Sequence, residues 1–559
     1  MRALPSSSRP MAGLLERLRA HRSAFALLET AHSARPYLLA GIQRALRLQT
    51  CIVVPTADVA ERTFADLTYY LSGAETDVVL VRPREESVGV IESPSERSAR
   101  MALLGDLCAG KPLVAIVPVA ALRQYVLPPE TFAAATLTLQ AGAEPGFDDL
   151  QETLYRLGYH RSDVVSAAGE FAVRGGIVDV WAPSSATPVR IEFFGDEIES
   201  IREFDLASQR SVETRETLSI EPWSEIFRDE ALRARIVSRL EGSPGAVAAA
   251  RAYLASGADI PEAWLPLAYD ERRTLLDYFS DDALVVLEEP AMLATVERGL
   301  DEERSREEQV LLAAVESGEL SVDDDAVGEA LLADVSAPQP RFDDLAASFG
   351  ARRTLVIPGA IEGEPPRWLP RVLETFVLET RPAEHFNRQI TLFLDAVKDH
   401  VAAGETLALV STGASRLSEM LRGAGLSVER SASLLHLRET GAATFVSDRP
   451  GMTRGGVVFL DQGSIEAGFA IPGLRLHVLG DREIFGQPPK RVKLRAVKEG
   501  VPVTLADLKV GDHVVHAVHG IAQYLGLRTE TILGATQDYL ALKYAGTDRM
   551  LVPVTQMDQ

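Results

Sequence analysis

At 559 residues the chain is too long for one hydrophobic core, and at ordinary domain size it divides into roughly three to five folded units. With 46% hydrophobic and 25% charged residues it has the composition of a globular protein, and its two cysteines, Cys51 and Cys108, exclude a disulfide framework and favour a reducing compartment. A formal net charge of -23 excludes a chain that wraps phosphate backbone along its whole length, because that binding needs Lys and Arg to replace counterions; only local nucleic-acid contacts remain open.

The N-terminal stretch MRALPSSSRPMAGLLERLRAHRSAF has basic residues but no unbroken apolar run, so it reads as neither a secretory signal nor a membrane span. The expected location is the cytoplasm, without a membrane partner. Residues 1–142 alternate helical patterns (ERLRAHRSAFALLETA, the helix around Ser95 to Cys108) with β-branched runs (CIVVP, DVVLVRP, PLVAIVPVAAL), the rhythm of a parallel α/β layer. Residues 143–220 change texture: a helix, DDLQETLYRLGY, precedes several strands with no long helix between them, which predicts a small α+β module.

Helices return over 221–345, with one buried strand at ALVVLEE and acidic stretches, DEERSREE and the run at Asp323, that read as solvated faces and linker. Residues 346–490 alternate again: RTLVIPG, a long helix through FNRQITLFLDAVKDHVAAG, TLALVSTG, SRLSEMLRGAG, GGVVFLDQ and RLHVLGD, predicting a second α/β domain. A basic run with Lys490, Arg491, Lys493, Arg495 and Lys498 then leads into a strand-rich tail over 491–559, expected as a small twisted β domain. The basic run is either a local DNA contact, for upstream duplex, or an exposed linker helix.

Three catalytic signals fail on inspection. Gly105 to Lys111, GDLCAGK, fits seven positions of a phosphate-binding loop, but position eight is Pro112 instead of the Ser/Thr that would meet magnesium, and the segment closes a helix where such a loop opens one. His513, His516 and His519 cannot converge on a metal if they lie on one strand, since His516 faces away from the other two. Asp461 follows the apolar run VVFL, yet no second acid follows it. Nothing else joins a nucleophile, a base and an orienting acid, so no catalytic residue and no metal ligand is assigned.

Residues 169–210 carry more information. PVRIEFF and EIESIREF form two strands joined by Gly195-Asp196, a two-residue turn suited to a tight hairpin. Alternation puts Ile191 and Phe193 on one face and Arg190, Glu192 and Phe194 on the other, so that a guanidinium and an aromatic ring stand together near the tip. Arg174, before Gly175-Gly176, extends that surface. Arg and exposed aromatics are interface anchors; the alternative is that Phe194 packs on the module's own helix and Arg190 pairs with Glu192 or Glu197.

The segment GEFAVRGGIVDVWAP...RIEFFGDEIESIREFD resembles the second domain of excinuclease B and of bacterial transcription-repair coupling factors. In those families the domain docks UvrA, and the resemblance implies Arg174, Arg190 and Phe194 as the UvrA-binding residues here. The tail, VGDHVVHAVHGIAQYLGL followed by QDYLALKYAGTDRMLVPV, resembles the polymerase-interacting domain of coupling factors, a Tudor-like fold shared with CarD-type regulators and lacking in excinuclease B. It implies that an edge strand pairs with the RNA polymerase β subunit, with Leu525, Leu527, Arg528, Glu530 and Ile532 as the expected contacts.

The fold class that follows is multidomain α/β: a degenerate excinuclease-B-like domain over 1–142 and 221–345 around the module, a second α/β domain, and the small Tudor-like β domain. The resemblance implies recruitment of UvrA to stalled polymerase in transcription-coupled repair, with no cofactor in this chain and ATP and magnesium confined to a motor that would follow it. Without that motor to mask the module, UvrA binding is expected to be open. The alternatives are an active excinuclease-B-type DNA-dependent ATPase and a CarD-type regulator.

Overall fold

The computed structural model describes residues 9–84, 93–206, 208–240, 244–255, 260–316, 339–359, 365–430, 456–486, 513–516, 520–532, 535–543 and 549–553. Two compact units divide the chain, Met1–Pro488 and Pro489–Gln559.

The first unit is organised by a seven-stranded parallel sheet in the order Val372–Val377, Ala24–Leu28, Arg353–Ile357, Leu284–Glu288, Thr50–Val54, Leu113–Pro118 and Asp77–Leu80. Its inner strands are apolar runs buried along their length, as parallel strands covered on both faces must be. The helices that cover them begin at side-chain caps: Thr56 accepts from the Val59 amide at the start of Ala57–Tyr70, and Ser93 accepts from Glu96 at the start of Pro94–Cys108.

One expectation is corrected here. The run RTLVIPG does not open a second α/β domain at 346; Arg353–Ile357 lies inside the first sheet, parallel to Ala24–Leu28 and Leu284–Glu288, and Val372–Val377 forms its edge. A strand with four buried residues in five needs neighbours on both sides, and the first sheet supplies them.

The second sheet, six-stranded, runs Arg381–Pro382, Phe469–Ile471, Leu476–Leu479, Thr406–Ser411, Val457–Gln462, Val428–Arg430. Its helix starts at Ile390, later than the apolar pattern implied, because Asn387 and Arg388 take left-handed φ values of 46° and 68°. Ala408, Val410, Phe469, Ile471, Leu476 and Val478 share one core with the first sheet's Phe25, Ile52 and Val286. The two layers are therefore packed together within the first unit.

The α+β module stands on a neck. Leu137–Gln140 pairs antiparallel with Thr217–Ile220, so the chain enters and leaves side by side. Beyond the neck come the helix Phe147–Arg156 and a six-stranded sheet ordered Ser211–Arg215, Glu197–Phe204, Val189–Phe194, Ile177–Val180, Glu170–Arg174, His160–Arg161. Its inner face continues the core of the α/β layer through Phe171, Val178, Ile191 and Ile201. The buried Glu225 carboxylate fastens the base of the module: it takes hydrogen bonds from Arg84 at 2.6 Å, Arg100 at 2.9 Å and the Leu127 amide at 2.8 Å. Burial pushes this carboxyl up, but the two guanidinium groups and the amide outweigh it and hold the group below the ordinary carboxylate range.

The second unit contains a four-stranded antiparallel sheet, His513–His516, Gly520–Ile532, Ala535–Lys543, Arg549–Pro553 in that order.

Candidate functional site

The hairpin forms as alternation requires. Val189–Phe194 and Glu197–Phe204 pair antiparallel around Gly195, whose φ of 65° is open to glycine at little cost, and the register shifts between Glu192 and Phe193. Val189, Ile191 and Phe193 are buried; Phe193 meets Phe147 of the helix edge-on at 5.3 Å. Phe194 has turned the other way and is 80% exposed. The packing reading of Phe194 is thereby excluded: the helix already has its aromatic partner.

Arg190 behaves differently. Its Nε and Nη2 donate to the two carboxylate oxygens of Asp179, each at 2.8 Å, and its guanidinium carbon lies 4.9 Å from the centre of the Phe204 ring. Asp179 sits directly opposite on the neighbouring strand and is buried, while the Arg190 side chain is 17% exposed. The hydrogen-bonded Asp179 carboxylate holds the guanidinium pKa above its ordinary value. Arg190 is thus paired with neither Glu192 nor Glu197, and the expected joint display with Phe194 is corrected: the ring is free, whereas the cation is clamped flat against the sheet.

Arg174 ends the strand Glu170–Arg174, is exposed, and donates to the Asp163 carbonyl at 3.0 Å. Because Ile177 lies opposite Glu192, the 174–177 turn and the 194–197 turn stand at the same end of the sheet. Arg174 and Phe194 share that end, with Arg190 further in. Sequence reasoning missed Asp179 and Phe204; an acid and a ring at alternating positions were visible, but their pairing with Arg190 depends on strand register.

The places where a parallel sheet usually takes a ligand, beyond the strand C-terminal ends, are filled by the protein's own charges. Arg35, at the start of the helix after Ala24–Leu28, donates to Glu289 at 2.9 Å and to Glu288 at 3.4 Å, and His32 meets Glu289 at 2.9 Å. Burial pushes Glu288 up, while the hydrogen bond from His32, together with Arg35, holds Glu289 down at about 2. In the second sheet the Asp481 carboxylate accepts from the Thr412 amide at 2.9 Å and hydroxyl at 2.7 Å, and from the Ser411 hydroxyl, in the loop before the helix Ala414–Gly423. An internal anion occupies those donors.

The rejected signals have structural roles. GDLCAGK is a helix C-terminus: Gly110 donates to the Leu107 carbonyl and Lys111 to the Asp106 carbonyl, and the Lys111 side chain pairs with Asp106. Asp461 accepts from the Tyr69 hydroxyl at 2.9 Å. His513 and His516 lie on one strand at register positions opposite Gln523 and Gly520, and His519 falls outside the described residues.

In the tail, Gly520–Ile532 pairs with His513–His516 only through Gly520 to Gln523, and with Ala535–Lys543 along the rest of its length. The register skips Leu525, beside Gly526 at φ 110°. Leu527, Arg528, Glu530 and Ile532 therefore have a strand neighbour on one side among the described residues. Lys490, Arg491, Lys493, Arg495 and Lys498 lie outside the described residues.

Comparison with known proteins agrees with this division. Residues 137–226 match the family model of the UvrB interaction domain, and residues 508–559 match that of the CarD-like/TRCF RID domain. The chain is 28% identical over 531 residues to the transcription-repair-coupling factor of Bacillus subtilis (strain 168), covering 89% of this chain and 42% of that protein. The chain is a homologue of transcription-repair-coupling factors. The corresponding factor of Staphylococcus haemolyticus is 27% identical over 525 residues, with the same coverage, and that of Staphylococcus aureus (strain MRSA252) is 27% identical over 497 residues, covering 84% of this chain and 39% of that one. The chain thus spans about two fifths of the length of the transcription-repair-coupling factors it matches. The module and the β tail occur in one chain, in that order, which neither a lone excinuclease-B-type domain nor a lone CarD-like domain would show. No helix among the described residues is long and apolar enough to cross a membrane.

Proposed function

We propose that this chain recruits nucleotide excision repair to stalled transcription, with residues 137–226 docking UvrA and the tail docking the RNA polymerase β subunit. The observation that carries the first half is Phe194: a ring 80% exposed at the tip of a hairpin whose backbone is fixed on both sides, within a UvrB interaction domain. A preorganised aromatic contributes binding energy without an ordering cost. Arg174 stands at the same end of the sheet and adds a cation. Arg190, neutralised by Asp179, supports the strand and presents only the edge of its guanidinium.

The tail offers a different mode. The stretch from Leu525 to Ile532, paired on one side among the described residues, suits addition of a strand from the polymerase. The basic residues from Lys490 to Lys498 are a candidate contact for upstream DNA. On this reading the chain's part is docking, and Arg35 and Asp481 engage the protein's own groups at the strand ends of the sheets.

Surface-immobilised chain exposed separately to purified UvrA and to polymerase β tests the reading. Binding of both, with UvrA lost on Phe194→Ala and β lost on removal of residues 513–559, is the expected result. Retention of β alone would make the chain a polymerase regulator of the CarD kind, and ATP hydrolysis stimulated by DNA would make it a motor.

A further inference from the structure

The first unit brings together three ligating side chains that no motif announces. The helix Ile390–Ala402 ends in a turn where Gly404, at φ 76°, donates to the Val401 carbonyl and Glu405 to the His400 carbonyl. That cap folds Glu405 back beneath His400. Across the sheet, His477 lies opposite Leu407 on the parallel strand Leu476–Leu479 and points away from the core that takes Leu476 and Val478. His400 Nδ1 and His477 Nε2 stand 2.5 Å and 3.0 Å from the same oxygen of Glu405, and the two rings are 4.1 Å apart between centres.

We propose that His400, Glu405 and His477 bind a divalent transition-metal ion, zinc by the chemistry of the set. Two imidazoles and one carboxylate are the ligands of a three-residue zinc site with an open fourth position. The three ligating atoms all lie within 4.8 Å of one another, close to the roughly 3.3 Å separation that tetrahedral bonds of about 2.0–2.2 Å need. The side chains are 22%, 26% and 22% exposed, open enough for entry yet anchored on a helix end, the turn that follows it and one strand.

The electrostatics favour a cation. The C-terminal carbonyls of the helix face this corner. Glu405 supplies the one carboxylate of the set. The carboxylate between two imidazoles holds the position the ion would take.

The test titrates the tag-free full chain, stripped with chelator, with zinc chloride against a chromophoric chelator, and in parallel with cobalt chloride. Wild type should hold one equivalent that the His400→Ala/His477→Ala double variant lacks, and cobalt should give the visible bands of a four-coordinate site. His477→Gln, which keeps size and polarity, should weaken zinc on the order of 100-fold while leaving the circular dichroism of the stripped protein unchanged. Substituting His513, His516 and His519 together should leave this equivalent in place. Equal zinc uptake by wild type and double variant, or cobalt bands that persist in both, would reduce the cluster to a hydrogen-bonded tie between helix and sheet.

Discussion

The strand ends of the seven-stranded parallel sheet and of the mixed second sheet treat charge and exposure in the opposite way to the hairpin tip of the inserted module. At the sheet ends charged groups turn on the protein itself: Arg35 on Glu288 and Glu289, Asp481 on Ser411 and Thr412. At the hairpin tip Phe194 pairs through its backbone with Glu197, and its ring is left 80% exposed. An α/β fold conventionally places its chemistry at the former and nothing at the latter. On the proposed reading the docking surface is the exposed hairpin tip and not the strand ends, where the protein's own side chains meet.

The sharpest way to break this comparison is Arg35→Ala. If the sheet end is structurally closed, removing the guanidinium leaves the buried Glu288 without its cation, while Glu289 keeps His32, and lowers the stability of the first unit by about 3–5 kcal/mol in urea unfolding. A vacated ligand site would instead tolerate the change and gain affinity for an anion. Phe194→Ala comes next: UvrA affinity should fall by about 2 kcal/mol, roughly 30-fold, at unchanged thermal stability, as titration calorimetry and a melting curve would show together. A loss of stability beyond about 0.5 kcal/mol would contradict the free ring.

Arg190→Ala separates support from contact. Freed of its partner, the Asp179 carboxyl is left buried without its two guanidinium hydrogen bonds, and the module should lose about 1.5–3 kcal/mol, with UvrA binding falling in step. Restoring the stability with Asp179→Asn in the same chain should restore binding too; binding that stays low would make Arg190 a direct contact.

The smallest effect concerns pH. Glu289 is held at about 2 against an ordinary 4.5, so its contribution is fully present above about 4.5 and fades as pH falls through 2. Glu289→Gln should flatten the acid limb of the melting temperature against pH in that window.

Much of the module was legible because its cues are local. The Gly195-Asp196 turn, the alternation of Ile191 and Phe193 with Arg190 and Phe194, and the helix before them all depend on neighbours within a few residues. The Arg190 to Asp179 pair was not, since it needs the register of two strands joined by a loop, and the same holds for Arg353–Ile357, whose local pattern suits either sheet. His400 and Glu405 carried a signal in hindsight, a histidine and an acid flanking the C-cap Gly404, but His477 lies on a strand that only the parallel sheet brings alongside.

The neck has a consequence for architecture. Leu137–Gln140 and Thr217–Ile220 are hydrogen-bonded to each other, so the module is threaded into the α/β layer as a loop is, with both ends at one place. Its excision and replacement by a short turn would leave the order of the seven parallel strands untouched. The module is in that sense an inserted part, entered and left through one ribbon while its inner face shares a core with the α/β layer.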